Sequence, residues 1–200
     1  MHGMIILGPA GSGKTTLGKF VADKMEIAFL DIDEYIWRND TEKPYSVMYS
    51  KEEKISNLME AVQKAKEFVM AGSMSSFHEY FDPMFLLAVY LTADAKVRVK
   101  RIHEREQKEF GDRILPGGDM YEEHQQFLND AANYDGNAAS CNKSQHELWL
   151  NQIGCPDAET QWRRFTGKER KSNCRNISAD IFGGKKRCRS ELQMKMTWKR

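Results

Sequence analysis

Proline and cysteine are scarce in this chain, long apolar runs are missing, and neither sign of charge dominates. Of its 200 residues five are proline and four are cysteine. The cysteines, Cys141, Cys155, Cys174 and Cys188, are widely spaced, with no Cys-x-x-Cys pair and no cysteine–histidine set at zinc spacing. That pattern argues against a disulfide framework or a structural zinc and for reduced thiols. The apolar stretch Phe85–Leu91 is far shorter than the roughly 20 residues a membrane helix needs. No basic segment followed by an apolar stretch precedes the first strand. A secretory signal is therefore not expected, and the cytoplasm is the expected location. A hydrophobic fraction of 40% is enough for one domain, or for one domain plus a tail.

The net charge of +1 conceals a split. Residues 157–200 hold 13 Lys and Arg against 5 Asp and Glu, while residues 1–156 hold 17 against 24.

What the chain does have is a glycine loop in a telling place. Gly8-Pro9-Ala10-Gly11-Ser12-Gly13-Lys14-Thr15-Thr16 fits G-x-x-x-x-G-K-[ST] with Gly8, Gly13, Lys14 and Thr15 in register. The apolar run Met4–Leu7 precedes it and reads as a buried strand. Leu17, Phe20, Val21 and Met25 follow at helical spacing. Glycines let successive backbone N–H groups turn inward toward phosphate oxygens. The helix N-terminus adds its positive dipole end. The Lys14 ammonium reaches for the β- and γ-phosphates of ATP, and the Thr15 hydroxyl for Mg²⁺.

Short apolar runs alternate with helical patterns along the first 155 residues. Strands are predicted at Met4–Leu7, Ile27–Leu30, Phe68–Ala71 and Phe85–Leu91. Helices are predicted at Lys14–Met25, Lys51–Lys66, Ala93–Lys108, Met120–Asn133 and Ser144–Ile153. The apolar face of the last is Leu148, Trp149 and Ile153. This rhythm predicts an α/β domain, a three-layer doubly wound parallel sheet, with ligand at the carboxyl ends of its strands.

Asp31-x-Asp33 lies just past the second strand. If the segment stays extended, both carboxylates point to one side. Asp31 then serves Mg²⁺, and Asp33 positions or deprotonates a substrate hydroxyl. The alternative is that Asp33 only caps a helix. Arg98, Arg101 and Arg105 share one helix face, and Arg113 follows in a polar loop holding Pro116-Gly117-Gly118. Arginines suit charge spread over phosphoryl oxygens, so Arg101, Arg105 and Arg113 are read as catalytic residues of a lid. Gly72 and Ser73, after the third strand, are candidates for substrate binding. His103, His124 and His146 sit singly and read as surface or satisfied histidines. Trp149 reads as core.

On these residues the chain resembles the P-loop small-molecule kinases, the group holding nucleoside monophosphate kinases, shikimate kinase and gluconate kinase. The likeness covers roughly residues 3–155. Gly13-Lys14-Thr15-Thr16-Leu17-Gly18 is similar to the loop of shikimate kinases, which also carry D-x-D after strand two. The resemblance implies a P-loop NTPase fold, ATP and Mg²⁺ as cofactors, Asp31 on the metal and Asp33 on the substrate. The chain departs from it in Ala71-Gly72-Ser73, where shikimate kinases have a glycine triplet, and in lacking their G-E-x-x-F-R segment. The D-G-F-P-R signature of adenylate kinases is absent too. Gly111 to Asp135 is similar to generically named, AAA-type ATP-binding members of the group.

Residues 1–155 are accordingly read as a P-loop kinase domain and residues 156–200 as an atypical basic tail. Such a fold needs a fifth strand and a closing helix, and neither period continues from Asp157 to Arg200. The tail reads as a basic appendage, as surplus without structure, or as the product of a shifted reading frame near Pro156. One frame later, a suitable choice among the permissible codons can encode an apolar strand, an Asn-Gly turn and an amphipathic helix. The fifth strand and last helix are thus expected to be missing or altered. The expected activity is ATP-dependent phosphoryl transfer to a small metabolite bearing a hydroxyl or phosphate. The rival reading is an ATP-binding NTPase or nucleotide-sensing module. A membrane or nucleic acid is not expected as a partner, and the oligomeric state is open.

Overall fold

The computed structural model describes residues 1–74, 76–136, 139, 141–155 and 157–161. Five strands, β1 His2–Leu7, β2 Ala28–Asp31, β3 Glu67–Ala71, β4 Phe85–Thr92 and β5 Asp157–Gln161, form one parallel sheet in the order β2-β3-β1-β4-β5. The helices are α1 Lys14–Met25, α2 Asp33–Ile36, α3 Lys51–Ala65, α4 Ala95–Phe110, α5 Tyr121–Ala132 and α6 Lys143–Gln152. Central β1 pairs with β3 on one side and β4 on the other, so the glycine loop leaves the middle of the sheet.

Strand alternation splits the core between two faces. Ile5 and Leu7 pack with Leu58 and Val62 of α3 and with Trp149 of α6. Met4 and Ile6 point the other way, onto Leu17 and Ala22 of α1. Helices therefore cover both faces, which is why these strands read as continuous apolar runs. Burying a side chain such as Leu58 contributes about 1.5–3 kcal/mol. The helix ends are fixed by their sequence. Ser50 and Glu53 form a reciprocal capping box at α3, and Asn142 and Gln145 do the same at α6.

Four expectations are corrected. The fifth strand is in place: the backbone of Asp157–Gln161 pairs with β4, extending the sheet past residue 155. Ladder bonds need only backbone groups, and an edge strand tolerates a polar sequence. The last helix, and with it the rest of the tail, lies outside the described residues. On α6 the inward face is His146, Trp149 and Ile153, while Leu148 is 58% exposed. On α1, Gly18 and Ala22 join Leu17 against the sheet and Phe20 faces out. The segment after β2 does not stay extended, because Ile32 is in the right-handed helical region and Asp33 opens α2. No described helix is long and apolar enough to cross a membrane.

Candidate active site

The loop from Gly8 to Gly13 joins β1 to α1. Gly8, Gly11 and Gly13 all have positive φ. At Gly8 a side chain is excluded twice over, since φ is 138° and a Cβ would collide with the Leu91 carbonyl oxygen. The amides of the first turn of α1 have no acceptor within the helix, and no side chain caps them. Ser12 Oγ is fully buried and, among the described residues, has no hydrogen-bond partner. Unspent donors around a positively curved backbone suit a bound polyphosphate.

Lys14 stands at the centre. Its Nζ donates to the Pro9 carbonyl at 2.9 Å, folding the side chain back over the loop. Burial pulls its pKa below the ordinary lysine value. The charges of Asp33, Cys141 and Asp31 oppose that shift, and Arg105 adds to it. Thr15 Oγ1 donates to Asp31 Oδ2 at 3.1 Å, so the two metal candidates of the sequence are in contact. One hydroxyl and one carboxylate suit Mg²⁺, which keeps several waters and takes further oxygens from phosphate.

Asp33 is near the same centre, with an exposed face. Its backbone N–H donates weakly to Asp31 Oδ1 at 3.4 Å. Burial raises its carboxyl pKa, Lys14 pulls it back, Asp31 raises it further and Arg105 lowers it. The two aspartates thus converge on Lys14 although the chain between them is helical. The turn of α2, and not strand alternation, brings them together.

The arginines separate. Arg101 donates to the Gly11 and Ser12 carbonyls at 3.3 and 3.4 Å, docking α4 onto the loop. Arg105 bears on the charges of Lys14 and Asp33. It is held from behind by Glu106 Oε1 at 3.2 Å. Arg113 is not brought to this centre. It makes a two-pronged pair with Asp119, at 2.9 and 2.7 Å, and closes its own loop. Arg98, which shares its helix face by periodicity, is 1% exposed. It donates to the Ala93 and Ala131 carbonyls and to Asp135 Oδ2, each at 2.9 Å, and ties α4 to the end of α5. At Gly72, φ is 139° and Ile32 fills the space a side chain would take, so packing accounts for that glycine. Ser73 points toward α6 and meets His146.

A family model described as an AAA domain matches residues 4–127. The chain belongs to that family. Its relatives include an uncharacterized protein, YqaC, of Bacillus subtilis, 26% identical over 156 residues, covering 76% of this chain and 83% of that one. Shikimate kinase 2 of Shigella flexneri is 26% identical over 134 residues, covering 62% of this chain and 76% of the kinase. Among solved structures, the shikimate kinase of Bacteroides thetaiotaomicron superposes with a TM-score of 0.55 at 18% identity, over 88% of this chain and 96% of that one. The fold of this AAA-family chain is that of the P-loop kinases.

Within the AAA-domain chain, the three histidines are hydrogen-bonded, as the satisfied reading expects, and the sequence leaves only their partners unnamed. His124 Nδ1 is 2.6 Å from Glu106 Oε2, and its Nε2 is 3.0 Å from His103 Nδ1. That relay braces the carboxylate that holds Arg105. His146 is fully buried beside Ser73, Cys141 and Tyr134. Its signal was present, because it shares helical spacing with Trp149 and Ile153.

Proposed function

We propose that this protein is a small-molecule kinase that transfers the γ-phosphoryl group of ATP to a metabolite hydroxyl or phosphate oxygen. The observation that carries this reading is the convergence of Lys14, the Thr15–Asp31 pair and Asp33 on one point beyond β1 and β2. A nucleotide-binding loop needs the first three of these. The fourth, a carboxylate beside the phosphate-binding lysine, is what an acceptor requires.

Mg²⁺ would be held by Thr15 and Asp31, and would neutralise charge on the phosphates of the nucleotide. The loop Gly8–Thr16 presents amides to ATP, and Lys14 leaves the Pro9 carbonyl to meet the outer phosphates. Asp33 accepts the hydrogen bond of the acceptor hydroxyl and receives its proton. The acceptor oxygen bonds to the γ-phosphorus, the bond to the β–γ bridging oxygen breaks, and ADP leaves. Arg101 and Arg105 line the loop side of this centre and stabilise the transferred charge. Residues 1–155 carry the chemistry in this reading, and β5 extends the sheet that supports them. The reading is supported by the family match and by Shigella flexneri shikimate kinase 2 among the relatives.

The test is ADP release across nucleosides, nucleotides, sugars and cyclitol acids. One compound should stimulate turnover, and Asp33→Asn should abolish the stimulation. Hydrolysis indifferent to every acceptor would instead favour a nucleotide-sensing NTPase.

A further inference from the structure

Glu106 of α4 is a carboxylate almost shut off from water, at 8% exposure. Both of its oxygens are taken. Oε1 accepts from Arg105 Nη2 at 3.2 Å, and Oε2 lies 2.6 Å from Nδ1 of His124 on α5. His124 is buried as well, and its other nitrogen, Nε2, is 3.0 Å from Nδ1 of the exposed His103. The two helices run antiparallel. Arg98 meets the Ala131 carbonyl at one end of their contact, and Glu106 meets His124 at the other.

A carboxylate accepts and does not donate. The Nδ1–H of His124 therefore points at Glu106, whichever imidazole of the pair holds a further proton. That bond fixes the direction of the Glu106 side chain between the two helices. Its second oxygen is thereby held at the edge of the contact, where Arg105 reaches it. Neighbouring residues of a helix do not face each other. Arg105 has to bend toward Glu106, and its side chain is 57% exposed. Without a fixed oxygen to bond, the guanidinium would return to the many rotamers of a solvated arginine.

Joining α4 to α5 does not require this pair. Buried ionic groups stabilise a fold no more than apolar side chains of similar volume. What an apolar residue lacks is an oxygen for Arg105. Arg105 is itself placed by its helix. Arg101, one turn before it on the same face, donates to the Gly11 and Ser12 carbonyls of the phosphate loop. A guanidinium has five N–H donors. Glu106 takes one from Arg105, and among the described residues no other protein acceptor is bonded to it. The rest are left for phosphate oxygens.

We propose that Glu106 and His124 are positioning residues, which together hold Arg105 where it meets the phosphoryl group leaving ATP. The packing of α5 on α4 is then coupled to the rate of phosphoryl transfer. The pair acts through Arg105 and touches neither nucleotide nor acceptor. The role of Arg105 is taken from the kinase reading above. Its positioning needs no acceptor, so ADP release from ATP alone tests it in a kinase and in an NTPase alike.

ADP release is measured with the full-length protein, Mg²⁺ and ATP, beside the unfolding midpoint of each variant. Where release is too slow to follow, the affinity for Mg·ADP with aluminium fluoride, a mimic of the transferred phosphoryl group, is compared with that for Mg·ADP alone. Arg105→Ala should lower kcat by about a hundredfold, the scale for one donor aimed at developing charge. The double variant Glu106→Leu/His124→Leu should unfold at the same midpoint or a higher one. Its kcat should nevertheless fall by about tenfold, with the KM for ATP changed less than about twofold. In the Arg105→Ala background the same double change should have no further effect. His124→Asn, which keeps an N–H near the place of Nδ1, should retain most of the rate. If the double variant does not fold, Glu106→Met decides by the same split between kcat and KM. Four results overturn the proposal: full activity in a stable double variant, a raised kcat there, a further loss in the Arg105→Ala background, or Arg105→Ala as active as the parent. The expected pattern with ADP release that no acceptor stimulates upholds the proposal and overturns the kinase reading.

Discussion

Lys14 and Arg98 are both cations held close to the same glycine loop, and they are employed in opposite ways. Arg98 spends its guanidinium on three bonds, to the Ala93 and Ala131 carbonyls and to Asp135. Its backbone abuts Gly11, so it also forms the wall behind the loop. Lys14 makes one bond, to Pro9, and is surrounded by charges that pull on its proton in both directions. A buried cation whose donors are all satisfied by the protein contributes to stability. A desolvated cation with donors to spare costs stability and is kept for a ligand. The difference is how many of its hydrogen bonds the fold has already taken.

That contrast is most sharply broken by exchanging what each residue does. Lys14→Met should lower ADP release by about a thousandfold, the scale for removing one positioned charge from a phosphate site. Its unfolding midpoint without nucleotide should stay equal or rise, because burial disfavours the charged lysine in the folded state. A marked loss of stability would place Lys14 with Arg98. Conversely, Arg98→Met leaves two carbonyl oxygens without their donor, at about 1–3 kcal/mol for each unsatisfied group. A loss of about 2–6 kcal/mol in urea unfolding is expected. The KM for ATP below the transition should change less than threefold. A variant as stable as the parent but unable to bind ATP would reverse the assignment.

His146 sharpens the same distinction through pH. Its folded pKa, about 4, lies below the ordinary value of 6.5, so the unfolded chain takes up the proton first as pH falls. Stability contributed by the neutral imidazole is therefore complete above pH 6.5 and is lost between 6.5 and 4. The slope is about 1.4 kcal/mol per pH unit. Urea unfolding at intervals across that range should show the slope in the parent and not in His146→Gln. Equal slopes would mean that other groups carry it.

The smallest effect is expected at Arg113. Its pair with Asp119 is exposed to solvent, and such pairs add little to stability. Arg113→Gln should leave the melting temperature unchanged within error. If the loop stays as it is during turnover, kcat should also be unchanged. A tenfold fall in kcat at constant stability would show that Arg113 swings in during catalysis.

Residue patterns made some of this legible before any coordinates. Met4–Leu7, the glycine loop and the start of α1 are contiguous, and each step follows from local backbone chemistry, so strand, loop and helix fall where the spacing puts them. The arginines of α4 were less legible. Periodicity places Arg98, Arg101 and Arg105 on one face, but it does not say that Ala131 and Asp135 will arrive from α5 to claim the first of them. Asp33 reached its expected neighbourhood by a different local geometry, a helical turn at Ile32 where an extended segment had been read. β5 was missed because parallel pairing recruits backbone groups, which side-chain patterning does not report.

The sequence by itself determined the phosphate loop, the alternation that builds a covered parallel sheet, and the pairing of a hydroxyl at Thr15 with acids one strand away. These depend on contacts close in sequence or on the period of a single element. Only the tertiary structure decided how many bonds the fold takes from each cation, what fills the space beside Gly72, and that Ser73, Tyr134, Cys141 and His146 form one cluster. Up to 73 positions separate those partners along the chain. They meet because α6 and the segment after α5 pack against the sheet, and burial there shifts the pKa of His146, Cys141 and Tyr134.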